Sequence, residues 1–169
     1  PNPRDYTADS LLGRVVFPGA RGGPLTFTAE GGRVRQDTAV DALLGTPPRF
    51  VNTTVLLGDD HAERFRIDLG QQLDRTDGFY SADWRLYWAG TETRQDSFEQ
   101  RRAVPPRTPA LQMERAFLLE DRTWGLEFTA VRELAGESVD HGLVYGVESS
   151  YTQLEELRNG LQTNLETGA

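Results

Sequence analysis

Cysteine is absent from these 169 residues, and so is lysine: all 18 basic side chains are arginine. Without thiols the chain has no disulfide scaffold, zinc ribbon, Fe–S cluster or thiol nucleophile. The all-arginine basic set reads as genome composition rather than function. Histidine occurs twice and methionine once. Basic charge is outweighed by 26 acidic residues, for a net charge of −8 and a pI near 4.8. Nucleic-acid modules carry a basic stripe, so a general phosphate-binding surface is not expected. No window approaches the roughly 18–20 apolar residues of a membrane helix. That exclusion covers helices only, because a barrel strand crosses with about 9–11 residues, alternate ones apolar. The hydrophobic share of 37% is low for a dense core yet too high for a disordered chain. The length suits one domain.

What is present is period two. Apolar and polar side chains alternate in Leu25-Thr26-Phe27-Thr28-Ala29-Glu30, in Phe65-Arg66-Ile67-Asp68-Leu69, in Trp84-Arg85-Leu86-Tyr87-Trp88 and in Trp124 to Ala130. Leu11 to Phe17 and Leu143 to Glu148 alternate less cleanly. Successive strand side chains point to opposite faces, which predicts about six half-exposed strands. Short connections are expected at Pro18–Pro24, Asp74–Gly78 and Ala135–Asp140. Long ones are expected at about Asp37–Leu57 and Ser97–Gln112, each containing prolines. Short and long in alternation describe an antiparallel meander with one tight rim and one elaborate rim, as in outer-membrane barrels.

The faces differ in content. One would carry Phe17, Phe27, Phe65, Trp84, Trp88, Trp124, Phe128 and Tyr145. The other would carry Arg14, Thr28, Glu30, Arg66, Asp68, Arg85, Glu127 and Glu148. Periodicity alone allows either a β-sandwich with an aromatic core or a barrel wall with an aromatic lipid face and a wet, ion-paired lumen. Strand length favours the wall, since alternation runs from Asp83 to Gln95 and from Phe117 to about Arg132. Soluble strands usually run about 5–6 residues. Because a bacterial outer-membrane barrel needs at least about eight strands, six make only a section of one. The chain opens on Pro1 without an apolar leader and closes on a polar run, and both ends are expected to continue into a longer polypeptide. From Glu148 to Leu165, leucines at 154, 157, 161 and 165 fit a helix, while Asn159-Gly160 favours a strand to about Leu157 and then a turn.

Signs of chemistry are weak. Asp59-Asp60-His61 has metal-ligating residue types, but neighbours on a strand diverge, and His141 sits beside a turn. The carboxylates alternate with arginine, as expected of a solvated charge ladder rather than a glycosidase pair. Gly19-Ala20-Arg21-Gly22-Gly23 lacks the lysine ending of a phosphate loop, and Asn52-Thr53-Thr54 is a glycosylation sequon of little specificity. No catalytic residue, metal site or cofactor is expected, and the chain reads as a non-enzyme.

The run Asp9 to Pro18 followed by Leu25 to Glu30 resembles barrel strands of TonB-dependent outer-membrane receptors, with most likeness to the haemoglobin/transferrin/lactoferrin-type branch. Arg64 to Leu69, Trp84 to Trp88, Arg122 to Leu126 and His141 to Glu148 are similar to later strands there, so the resemblance covers Tyr6 to about Asn159. It implies a 22-stranded barrel around a plug domain, importing haem or another iron chelate with energy delivered by TonB through the plug. The plug, the TonB box, the haem-coordinating loop motif and the terminal aromatic signal have no match, so no family site residue is carried over. The resemblance implies that residues 1–169 are one mid-barrel piece in the bacterial outer membrane. Its partners would be lipid, the plug, the remaining strands and an iron-bearing ligand. Lumen-facing candidates are Arg14, Arg66, Asp68, Arg85 and Glu127. Lipid-facing candidates are Phe27, Phe65, Trp84, Trp88, Trp124, Phe128 and Tyr145. The long loops would help capture ligand. A soluble, calycin-like β-meander binding a small ligand is the alternative.

Overall fold

The computed structural model of the chain describes residues 2–19, 22–76, 79–106, 108–134 and 141–168. They form one six-stranded antiparallel sheet in the order β1-β2-β3-β4-β5-β6. The strands are β1 (Arg4–Phe17), β2 (Leu25–Ala39), β3 (Thr53–Thr76), β4 (Phe79–Arg101), β5 (Leu111–Leu134) and β6 (His141–Asn164). Among the described residues the only helical element is a single 3-10 turn at Asp41–Leu43. The expected all-β meander is therefore what the chain forms.

The strands are longer than their alternating cores. β3, β5 and β6 each have 24 residues, or about 80 Å at about 3.3 Å per residue. Residues 37–39 and 53–57, expected in a long loop, belong to β2 and β3, with all but Thr54 paired, leaving a connection of 40–52. Residues 97–101 and 111–112 are likewise strand, leaving 102–110. These stretches break the alternation, Val55-Leu56-Leu57 being apolar in succession and Glu99-Gln100-Arg101 polar in succession, and cross-strand pairing extends the strands through them regardless. The turn expected after Leu157 is absent: β6 runs on to Asn164, with Asn159 opposite Ala116 and Gly160 opposite Arg115. The helical spacing of its leucines loses to 24 consecutive pairings with β5. Of the short turns, residues 20–21, 77–78 and 135–140 lie outside the described residues. The β1–β2 turn folds back onto β3, where the Gly23 N–H donates to the Gln72 carbonyl at 2.8 Å. A Cβ at Gly23 would stand 2.3 Å from that carbonyl oxygen, so the close approach requires glycine.

This sheet is one layer. Its strand contacts run between sequence neighbours. Among the described residues, the only apolar side chains buried are Ala82, Met113 and Ala130. Packing is instead lateral, between neighbouring side chains on the same face. Tyr87 lies across Gly125, its directly opposite partner on β5, and a Cβ there would sit 2.1 Å from the tyrosine ring. Gly125→Ala is therefore expected to destabilise the intact protein by about 1–3 kcal/mol, the range for overpacking. Denaturant unfolding would measure it. The same substitution in a Tyr87→Ala background should cost little, and an equal cost in both backgrounds would show that something other than the ring constrains Gly125.

Candidate functional site: the two faces of the sheet

Antiparallel partners share a face, so the register assigns every side chain. Phe27 opposes Val15 and Leu69, Ile67 opposes Trp88, Trp88 opposes Trp124, and Trp124 opposes Tyr151. Trp84 opposes Phe128, Phe128 opposes Val147, and Ala130 opposes Tyr145. All seven aromatics proposed from the alternation thus stand on one face. Phe65, Trp88 and Trp124 form a ladder with ring centroids 5.8 and 5.9 Å apart. No described residue covers it: Trp124 is 59% exposed and Phe65 46%. Tyr151 extends this row onto β6. The sequence reading missed it because the chain after Glu148 also fits a helix.

The apolar band is bounded along the strands. Phe65 to Leu73 and Tyr80 to Trp88 each span eight residue steps, about 26 Å along the strand and about 20 Å upright at a tilt near 40°. Toward the long loops the same face turns acidic abruptly. Glu63 opposes Glu92, Glu92 opposes Glu120, and Glu120 opposes Glu155. Further out, Asp5 opposes Asp37, Asp37 opposes Asp59, and Asp59 opposes Asp96. Like charges directly opposite are unfavourable. The intervening row of Arg35, His61 and Arg94 reaches both ways, with Arg35 to Asp59 at 2.9 Å, Arg94 to Asp96 at 2.7 Å and His61 to Glu63 at 3.0 Å. These acidic rows are invisible in sequence because their members lie on different strands.

The opposite face holds the charged set. Arg14 and Asp68 both oppose Thr28, Arg66 opposes Glu30, and Arg85 opposes Glu127. All five side chains proposed as lumen-facing are therefore on one face. Arg66 donates two hydrogen bonds to Asp68, at 2.9 and 2.7 Å, and its guanidinium lies 4.8 Å above the Tyr87 ring. Arg85 and Glu127 stand 3.6 Å apart and more exposed. Arg14 enters no ion pair with a described residue. The small residues Thr28, Ala89, Gly125 and Ser150 separate the charges, leaving a polar, hydrated surface.

Asp59 and His61 share the aromatic-bearing face and Asp60 points to the other, so the tripeptide does not converge. Among the described residues no three His, Asp or Glu side chains gather as metal ligands. No helix is long and apolar enough to cross a membrane, which says nothing of strands. Several hollows lie on the aromatic-bearing face. One of about 450 Å³ is lined by Phe27, Ile67, Leu86, Trp88, Trp124 and Tyr151. Another, of about 890 Å³ near the long loops, touches all six strands. No protein-family model and no curated protein matches the chain.

The bidentate geometry makes Arg66–Asp68 the stronger of the two pairs. A double-mutant cycle in the intact protein should give a coupling of about 1 kcal/mol for Arg66 with Asp68, and less than about 0.5 kcal/mol for Arg85 with Glu127. The reverse order would mean that the charged face is packed differently.

Proposed function

We propose that this chain is a section of barrel wall from a TonB-dependent outer-membrane receptor that takes up haem or another iron chelate. The observation that carries the wall reading is the aromatic band on a face of a single sheet that no described residue covers, ending in acidic rows toward the long loops. Lipid covers such a band, with the aromatic rows at its interfaces and the acidic rows outside it. The opposite face, with Arg14, Arg66, Asp68, Arg85 and Glu127, lines a hydrated lumen and meets the plug. The long strands carry the loops at 40–52 and 102–110 well clear of the membrane.

The sheet's edges support the same reading. β1 and β6 each leave one edge without a partner among the described residues. In hydrocarbon every unsatisfied backbone group costs several kcal/mol, so further strands must complete the ring. The 22-stranded closure, TonB coupling and the iron-bearing cargo rest on the sequence resemblance. On this reading the segment performs no chemistry; its partners are lipid, plug, remaining strands and ligand.

The apolar hollow of about 450 Å³ favours a second reading, a soluble meander that binds a small apolar ligand on the aromatic face. Fractionation of cells making the intact protein separates the two. The wall reading expects it in the outer membrane, and a soluble fraction holding it all would overturn that reading. Substitution gives an independent test. Leu126→Arg, within the band, should cost about 2–4 kcal/mol in lipid, whereas Ser150→Arg on the charged face should cost little. For a soluble sheet, arginine on an already bare face would be tolerated at both positions. For the cargo, loss of the intact protein should abolish growth on haem or on a ferric chelate as sole iron source; unchanged growth on every such source would reject it.

A further inference from the structure

Glu99, near the end of β4, is the most deeply buried charged residue in the sheet, at 2% exposure. It sits where the two long loops meet the strands, on the charged face, beyond the apolar band by ten residues or more of β4. Thr53, the first residue after the 40–52 loop, donates its hydroxyl to Glu99 Oε1 at 2.8 Å. Arg101, the last strand residue before the 102–110 loop, donates Nε to the same oxygen at 2.7 Å. Arg115, just beyond that loop on β5, brings Nη1 to 3.8 Å from Oε2, which otherwise receives no hydrogen bond from the described residues. The backbone joins the same place, because Arg102 N–H donates to the Asn52 carbonyl at 2.9 Å.

This convergence depends on an irregularity. Along β3 the pairing with β4 is regular, but it shifts by one residue between Thr53 and Val55. Without the bulge, Thr53 would point to the aromatic-bearing face, away from Glu99. With it, Thr53 opposes Arg101 and turns onto the carboxylate's face. Bulges re-aim side chains in this way. A buried carboxylate that gathers its donors through a register shift is more than an extension of the exposed charge ladder.

We propose that Glu99 is a positioning residue that clamps the bases of loops 40–52 and 102–110 together, so that they move as one body, and that its negative charge is what holds them. The proposal does not depend on the membrane reading. The charged groups facing it are Arg101 on its own strand and Arg115 on β5. From β3 come Thr53 and Leu56, and from β5 also Met113, all uncharged. Burial pushes the Glu99 carboxyl upward, but the hydrogen bonds from Arg101 and Thr53 and the charges of Arg101 and Arg115 outweigh it, holding it below the usual glutamate range. A carboxyl lowered in the folded state stabilises that state above its ordinary range and loses the contribution as pH falls through the lowered value. The clamp therefore holds at neutral pH and opens only in stronger acid than an ordinary glutamate would need.

Because this chain has no cysteine, spin labels can be placed cleanly in the intact protein once any other cysteine is replaced. Val51→Cys and Val104→Cys mark the two loops, and Ser81→Cys with Thr129→Cys serves as a control pair on β4 and β5 near the short turns. At neutral pH a single narrow distance population is expected between the loop labels. Glu99→Gln, isosteric but uncharged, should lose that population and remain broad at every pH, with the control pair unchanged. The unsubstituted protein should lose it only below the ordinary glutamate range. Thr53→Val, which keeps the charge but removes one donor, should broaden it partly, and this variant carries the test if Glu99→Gln does not fold. A Glu99→Gln distribution as narrow as the original, or an unchanged one in Thr53→Val, would overturn the proposal.

Discussion

Antiparallel backbone pairing in a nearly unbroken register is the constraint from which the rest of this structure follows. Partners across strands share a face, so each pairing commits two side chains at once. Over six strands the commitments accumulate into rows. Ile67, Trp88, Trp124 and Tyr151 stand at one level, Phe65 stands one row further toward the long loops, and four glutamates gather just beyond it. A slip of one residue would exchange the faces of a whole strand. The single shift at Thr53 shows what such a slip does, and it is confined to the strand's first turn-ward residues, where re-aiming one hydroxyl completes the Glu99 cluster.

With one layer there is no interior to stabilise the chain, and its energetics are lateral. Aromatic ladders, Tyr87 laid over Gly125, and Arg66 held between Asp68 and the Tyr87 ring are the contacts that replace a core. Each is worth a fraction to about one kcal/mol on the scale of cross-strand pairs. Such contacts fix register more than they supply stability. Among the described residues nothing covers the apolar face and nothing pairs with the outer edges of β1 and β6; in the proposed wall, lipid would cover the one and further strands would pair with the others.

The alternation of Trp84, Leu86 and Trp88 against Arg85 and Tyr87 was legible because the period of a strand is a local property. The register puts the seven aromatics together on one face and the five charged side chains together on the other. The strand ends were not legible. Glu99, Gln100 and Arg101 are polar in succession, so no alternation separates strand from loop there, and only a partner strand settles it. The leucines of β6 mislead for the opposite reason: their spacing fits a helix, yet Leu154 stands on one face and Leu157 and Leu161 on the other. Glu99 carries no local signal, because its burial depends on Thr53, 46 residues earlier, and on Arg115 across a loop.

By itself the sequence determined the all-β meander, the number of strands and the chemical contrast between the two faces, because all three depend on alternation within one strand. It also limited the chemistry, through the missing cysteines and the scarcity of histidine. The tertiary structure decided which residues stand level with one another: the aromatic row, the acidic rows above it and the bulge that brings Thr53 to Glu99. Those are properties of register, and register is a relation between strands that no single strand contains.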